Sequence, residues 1–208
     1  LYDQLGGGFY RYSTDERWMI PHFEKMLYDN APLMELCVQA WQLSAHDDFR
    51  RWATETAEWV KREMVHVDGA FFSTLDADSD GEEGKFYVWE PDEARALLEE
   101  DEYEAISVRF GLDQAPNFEE TSWHLHVAAK LDELGMPLDD AERAVRGARE
   151  KLLSARTSSR VLPGRDEKIL ASWNGMMIRA MARTGAVLAR PDFINSAYAA
   201  LYFVRREL

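Results

Sequence analysis

Two short stretches carry most of the side chains able to do chemistry. His22, Glu24, Lys25, Asp29 and Asn30 lie just ahead of one apolar helical pattern, and Arg165, Asp166, Lys168, Trp173 and Asn174 hold the equivalent place before another. An imidazole and carboxylates can move protons or grip hydroxyls. Tyr10, Tyr12, Trp18 and Trp173 offer flat faces, with the Arg11 cation among them. Planes, carboxylates and a few cations converging on one pocket suit a polyhydroxylated ring such as a sugar. The plainer alternative is that Glu24–Lys25 and Asp166–Lys168 are helix-start charges and caps, satisfying N–H groups that lack intrahelical partners. His22, following Pro21 among aromatics, is either a loop histidine or one of the two proton-handling groups such chemistry needs; His124 and His126 match no motif.

A third acidic group lies between these stretches. Asp76, Asp78, Asp80, Glu82 and Glu83 follow one another in a glycine-containing run that begins like a calcium loop. Where an EF-hand loop needs its closing acidic residue, this chain has Tyr87, so we expect a turn held by Asx-type hydrogen bonds. Such a turn directs Asp76, Asp78 and Glu82 toward a pocket, where paired carboxylates also serve glycoside chemistry. Neither a metal cluster nor a cofactor motif stands out. Gly6-Gly7-Gly8 lacks the Lys-Ser/Thr of a phosphate loop, and Cys37 falls on an apolar stripe as a packed residue.

The elements that must position these groups are mostly helical. Leu33, Leu36, Cys37, Ala40 and Trp41 share one face, and Phe49, Trp52, Ala53, Thr56 and Val60 share another, so residues at about 31–65 predict an antiparallel hairpin. Asn30 is the expected N-cap, with Pro32 in the first turn. Residues 69–75 and 85–89 are aromatic and β-branched and predict a two-stranded excursion over about 69–89. Shorter helices follow over about 91–157, with Asp139 and Glu142 at capping-box spacing. Leu170, Trp173, Met177, Ala180 and Met181 open a second hairpin over about 167–208, broken at Pro191-Asp192.

Composition narrows the class. Over 208 residues, 46% hydrophobic and 12% aromatic content excludes intrinsic disorder. With 24 basic against 38 acidic residues, the formal net charge of -14 disfavours nucleic acid as a general partner. No apolar run is long enough for a membrane span, and no signal sequence opens the chain. One cysteine fits a reducing compartment, so a cytoplasmic location is the expectation.

The chain also repeats itself. Glu-Lys-Met-Leu at 24–27 recurs as Glu-Lys-Ile-Leu at 167–170, each followed by an asparagine, an apolar helix, a break and a second helix. Repeated hairpins of this kind close into a toroid or stack into a solenoid. Three segments carry a more specific likeness: Gly6 to Ala31, with its Pro-His-Phe-Glu-Lys-Met-Leu-Tyr-Asp-Asn; Asp76 to Trp89, with Asp-Ala-Asp-Ser-Asp-Gly; and Arg165 to Gly175, Arg-Asp-Glu-Lys-Ile-Leu-Ala-Ser-Trp-Asn-Gly. Together they resemble the YyaL-type family, which includes the spermatogenesis-associated thioredoxin-like proteins. The resemblance implies that residues 1–208 are a fragment of one α/α-toroid domain, a partial (α/α)6 ring similar to six-hairpin glycosidases and N-acylglucosamine 2-epimerases. It implies two further partners in the longer protein, a thioredoxin-like domain and the remaining hairpins. It also implies a pocket with His22, Asp29, Asp76, Asp78 and Asp166 in catalytic places. Tyr10, Arg11, Tyr12, Trp18, Glu24, Lys25, Asn30, Glu82, Arg165, Lys168, Trp173 and Asn174 would contact the substrate. The implied activity is epimerase-, isomerase- or glycosidase-like on a sugar or sugar derivative; the alternative is a non-catalytic module serving the thioredoxin-like domain.

Overall fold

The computed structural model describes residues 1–208 and is mainly helical, with small antiparallel sheets. In chain order the strands are β1 (Tyr12–Ser13), β2 (Pro21–His22), β3 (Lys25–Met26), β4 (Thr74–Leu75), β5 (Asp78–Ser79), β6 (Glu82–Glu83) and β7 (Arg165–Asp166). The helices are α1 (Leu27–Ser44), α2 (Asp47–Glu63), α3 (Pro91–Leu97), α4 (Glu100–Phe110), α5 (Leu138–Ser159), α6 (Ala171–Val187) and α7 (Pro191–Glu207). No helix is long and apolar enough to cross a membrane. The chain divides into two compact units.

One unit comprises residues 6–11, 24–77 and 164–208. Its frame is two helical hairpins, α1–α2 and α6–α7, with α1 packed against both α2 and α6. The helices meet in a core of Leu27, Met34, Val38, Trp59, Val60, Phe71, Met177, Met181 and Phe193. On α1 the buried face is Leu27, Ala31, Met34 and Val38; of the expected stripe only Cys37 is buried, Leu36 being exposed and Leu33, Ala40 and Trp41 half-buried. Ala45 turns the first hairpin in the left-handed region at φ 55°, and Pro191 opens α7 where its missing N–H costs nothing. Cys37 lies in this core, where burial pushes its thiol up to about 11.

A three-stranded sheet joins the starts of α1 and α6. β4 is its centre, pairing with β3 on one side (Lys25↔Leu75, Met26↔Thr74) and with β7 on the other (Thr74↔Asp166, Leu75↔Arg165). This differs from the expected pairing of 69–75 with 85–89: both edges of β4 are taken by the segments leading into α1 and α6. α1 also starts earlier than expected. Met26 takes the N-cap position in extended backbone, so Asn30 lies inside the helix. Pro32 then falls in the second turn, and having no N–H it leaves the Tyr28 carbonyl without its helical donor.

The other unit comprises residues 1–5, 12–23 and 78–163. α4 and α5 pack over Trp89, Ile106, Phe110 and Leu152. Gly111 in the left-handed region ends α4. α5 begins behind Pro137, so Asp139 sits in its first turn as a charge facing the dipole rather than as the expected cap. A fully buried ion pair ties the N-terminal segment to α5: Arg156 Nη1 and Nη2 donate to Asp3 Oδ1 and Oδ2 at 3.0 and 2.8 Å. Two hairpins complete the unit, β1–β2 and β5–β6; the latter turns through Asp80 and Gly81, both at positive φ, the Asp-Gly pairing such two-residue turns favour. Lys85 to Trp89 forms no ladder strand; Trp89 bridges to Trp123 instead.

Candidate functional site

The expected site residues divide between the two units. In the hairpin unit, Asn30 and Asn174 occupy matching places one turn into α1 and α6 and perform the same task. The Phe9 N–H donates to Asn30 Oδ1 at 2.7 Å, while Asn30 Nδ2 donates to the Phe9 and Met26 carbonyls at 3.0 and 2.9 Å. The Phe71 N–H donates to Asn174 Oδ1 at 2.8 Å, while Asn174 Nδ2 donates to the Phe71 and Leu170 carbonyls at 2.9 and 3.2 Å. Each amide therefore clamps both polar groups of one extended aromatic residue and is fully buried. The clamped segments share a pattern, Gly-Gly-Phe-Tyr at 7–10 and Gly-Ala-Phe-Phe at 69–72.

Lys25 and Tyr10 are likewise interior. Lys25 Nζ donates to the Gly7 carbonyl at 2.8 Å and lies over the Tyr10 and Trp59 rings at 5.1 and 5.3 Å. Lys168, its counterpart, is exposed and pairs with Asp166 at 2.9 Å; hydrogen bonds from the Lys168 side chain and backbone hold the Asp166 carboxyl below its usual range. Arg165 lies over Phe72 at 4.3 Å, pairs with Glu167 at 2.6 Å and donates to the Glu63 carbonyl. Asp76 is exposed at the end of β4.

Around the start of α1 stands a cluster of half-exposed groups. Arg11 Nη1 donates to Glu24 Oε2 at 2.7 Å and Nη2 to the Tyr28 hydroxyl at 3.1 Å. The Tyr28 and Trp173 rings lie 4.7 Å apart at 57°. Asp29 sits in the first turn of α1 with its Oδ2 shut off from solvent and hydrogen-bonded by no group of the chain. Burial raises the Asp29 carboxyl above its ordinary value; the Arg11 charge opposes this and Glu24 adds to it. A carboxyl held this way can carry a proton nearer neutrality than an exposed aspartate can.

The remaining candidates belong to the other unit. His22 Nδ1 lies 2.6 Å from Glu83 Oε1, and its ring stacks on Tyr12 at 4.9 Å and 20°. Glu82, the neighbour singled out from sequence, pairs with Lys85 at 2.7 Å instead. Asp78 is exposed on β5, because the Asp-Ala-Asp-Ser-Asp run alternates, with Ala77 and Ser79 turned inward. Trp18 is 71% exposed at the tip of a loop whose Asp15 carboxylate accepts the N–H groups of Arg17, Met19 and Ile20. His124 is fully buried, and its desolvation holds the imidazole down at about 3, so it stays neutral. No group of three or more His, Cys, Asp or Glu side chains is placed to hold a metal ion.

The chain is 34% identical over 236 aligned positions to human spermatogenesis-associated protein 20, an alignment covering 99% of this chain. The mouse protein of that name is 33% identical over 236 positions, covering 100% of the chain. Over this span the chain belongs to the spermatogenesis-associated protein 20 family. It spans 30% of the length of either relative. No family model matches it.

Within this family member, sequence reasoning passed over two residues the geometry brings forward. Glu83 is indistinguishable from Glu82 in a run of acids; only the β5–β6 turn decides which one faces His22. Tyr28 lies between Leu27 and Asp29 in the segment of strongest likeness, and its i+4 neighbour Pro32 was the available signal that its carbonyl lacks the usual helical donor.

Proposed function

We propose that the start of α1 in the hairpin unit is a sugar-handling site, with Asp29 as the group that donates and recovers a proton. The observation that carries this reading is the Asp29 carboxyl: partly desolvated, raised in pKa and with one oxygen unmatched, next in the chain to Tyr28, whose ring meets that of Trp173. A sugar hydroxyl would meet this carboxyl through Oδ1, the oxygen that is not shut off from solvent. Glu24, ion-paired to Arg11, is the second carboxylate of the cluster. The pair fits glycosidase-like or isomerase-like chemistry, in which one group holds a proton while the other stays charged. Lys168, Asp166 and Arg165 frame the neighbouring helix start, and the ring of remaining hairpins and a thioredoxin-like domain are the partners this reading expects in the longer protein.

The test uses the full-length protein and its Asp29→Asn variant. Mono- and disaccharides should raise the melting temperature of both proteins, while any turnover found in the wild type should fall by ~100-fold or more in the variant. If no sugar stabilises the protein, the site is not a sugar site, and a non-catalytic module serving the thioredoxin-like domain becomes the better reading.

A further inference from the structure

The groove leading away from this cluster has a charged end. Between α1 and α6 lies a depression of about 400 Å³ lined by Pro32, Glu35, Ser172, Gly175, Met176 and Arg179. Its floor is small or apolar: a Cβ added at Gly175 would meet nothing within 4 Å. Contacts along it run in step. Tyr28 meets Trp173 before the depression, nearer the starts of the two helices, and Glu35 meets Arg179 on its lining, so both helices advance in the same direction.

At that far end one carboxylate oxygen holds two arginines. Glu35 Oε1 accepts from Arg179 Nε and Nη2 at 3.2 and 2.9 Å and from Arg183 Nη1 at 3.0 Å. The Glu35 side chain is 10% exposed, whereas those of Arg179 and Arg183 are 73% and 41% exposed. The anchor is thus interior and the guanidinium groups reach solvent, their other N–H groups bonded to nothing in the chain. Two positive charges on one negative leave a net cation, fixed in orientation, in a chain of formal charge -14. Fixed guanidinium forks with spare donors suit a carboxylate or a phosphate.

We propose that this pair is an anion subsite and that the ligand of the groove is an acidic sugar, with its ring on Tyr28–Trp173 and its carboxylate or phosphate on Arg179 and Arg183. This rests on the sugar reading of the α1 start. Trp173 and Arg179 are six residues apart on α6, a span of ~9 Å along the axis. The anionic group is therefore carried on an exocyclic arm or on a second sugar residue, not on the ring itself.

Calorimetric titration of the full-length protein with glucose, glucose 6-phosphate, glucuronate and inorganic phosphate tests the assignment. The acidic sugars should bind at least tenfold more tightly than glucose, with whichever of the two leads identifying phosphate or carboxylate. The preference should vanish in the Arg179→Gln/Arg183→Gln double variant, survive in large part in Arg179→Lys, which keeps the charge, and shrink as salt rises. Glucose affinity should be the same in all variants, which separates a lost subsite from a misfolded groove. Glucose binding without preference for the acids, or a preference that persists in the double variant, overturns the anion subsite alone. Failure of every sugar to bind overturns the sugar site with it.

Discussion

The starts of α1 and α6 use nearly the same sequence and reach different chemistry. At both, an asparagine one turn into the helix clamps the backbone of a distant phenylalanine with two hydrogen bonds and gives a third to the carbonyl four residues back. At α1 the preceding lysine is fully buried and caps the Gly7 carbonyl; at α6 it is solvated and holds Asp166. The cause is strand placement. Lys25 lies within β3, so its side chain turns in toward Tyr10 and Trp59, whereas Lys168 comes after β7 has ended. The amide clamp is thus the repeated structural device, and the charged residues around it are free to diverge. Only the α1 start collects Arg11, Glu24, Tyr28 and an unmatched carboxyl.

Replacing the clamps breaks the comparison most sharply. Asn174→Ala removes the partners of the buried Phe71 N–H and C=O and should cost ~3 kcal/mol in denaturant unfolding, and Asn30→Ala, whose partner Phe9 is half-buried, ~2 kcal/mol. A cost confined to one of them would show that the two starts are not equivalent. Next come the lysines. Lys25→Met should cost ~2 kcal/mol, since it removes the donor to a buried carbonyl and two cation–ring contacts. Lys168→Met should stay within ~0.5 kcal/mol, as exposed pairs do. Equal effects at the two positions would contradict the strand-placement argument. The smallest effect is at Asp29. Its carboxyl is raised in the folded state, so between the unfolded and folded midpoints the native protein binds more protons and stability falls as pH rises. Asp29→Asn should therefore be slightly more stable than wild type at neutral pH, with the difference fading below the ordinary aspartate range.

How legible this was varies along the chain. The four helices of the hairpin unit follow from apolar residues three and four apart, a pattern read over many turns, though on α1, apolar on several sides, the pattern points to Leu33 and Leu36 where the buried face is Leu27, Ala31, Met34 and Val38. The strands are two residues each, too short for any period, and β4 pairs with segments 49 and 91 residues away in the chain. Asn30 and Asn174 could be recognised as equivalents, but not their task. An asparagine before an apolar helix reads as a cap, and the partners that make it a clamp, Phe9 and Phe71, lie outside any local window. In the candidate site, Asp29, Arg11 and Glu24 could be named from residue type alone. Tyr28 and Glu83 could not, because their significance comes from a missing helical donor and from the phase of a turn.

The measurement that bears most directly on the account is a carbon-detected NMR titration of the Asp29 carboxyl, with and without a saturating sugar. The account predicts a midpoint above the ordinary aspartate value of 3.8, moving again when the sugar binds and a hydroxyl meets the carboxyl. A midpoint at or below that value, unmoved by any sugar that binds the protein, would contradict it.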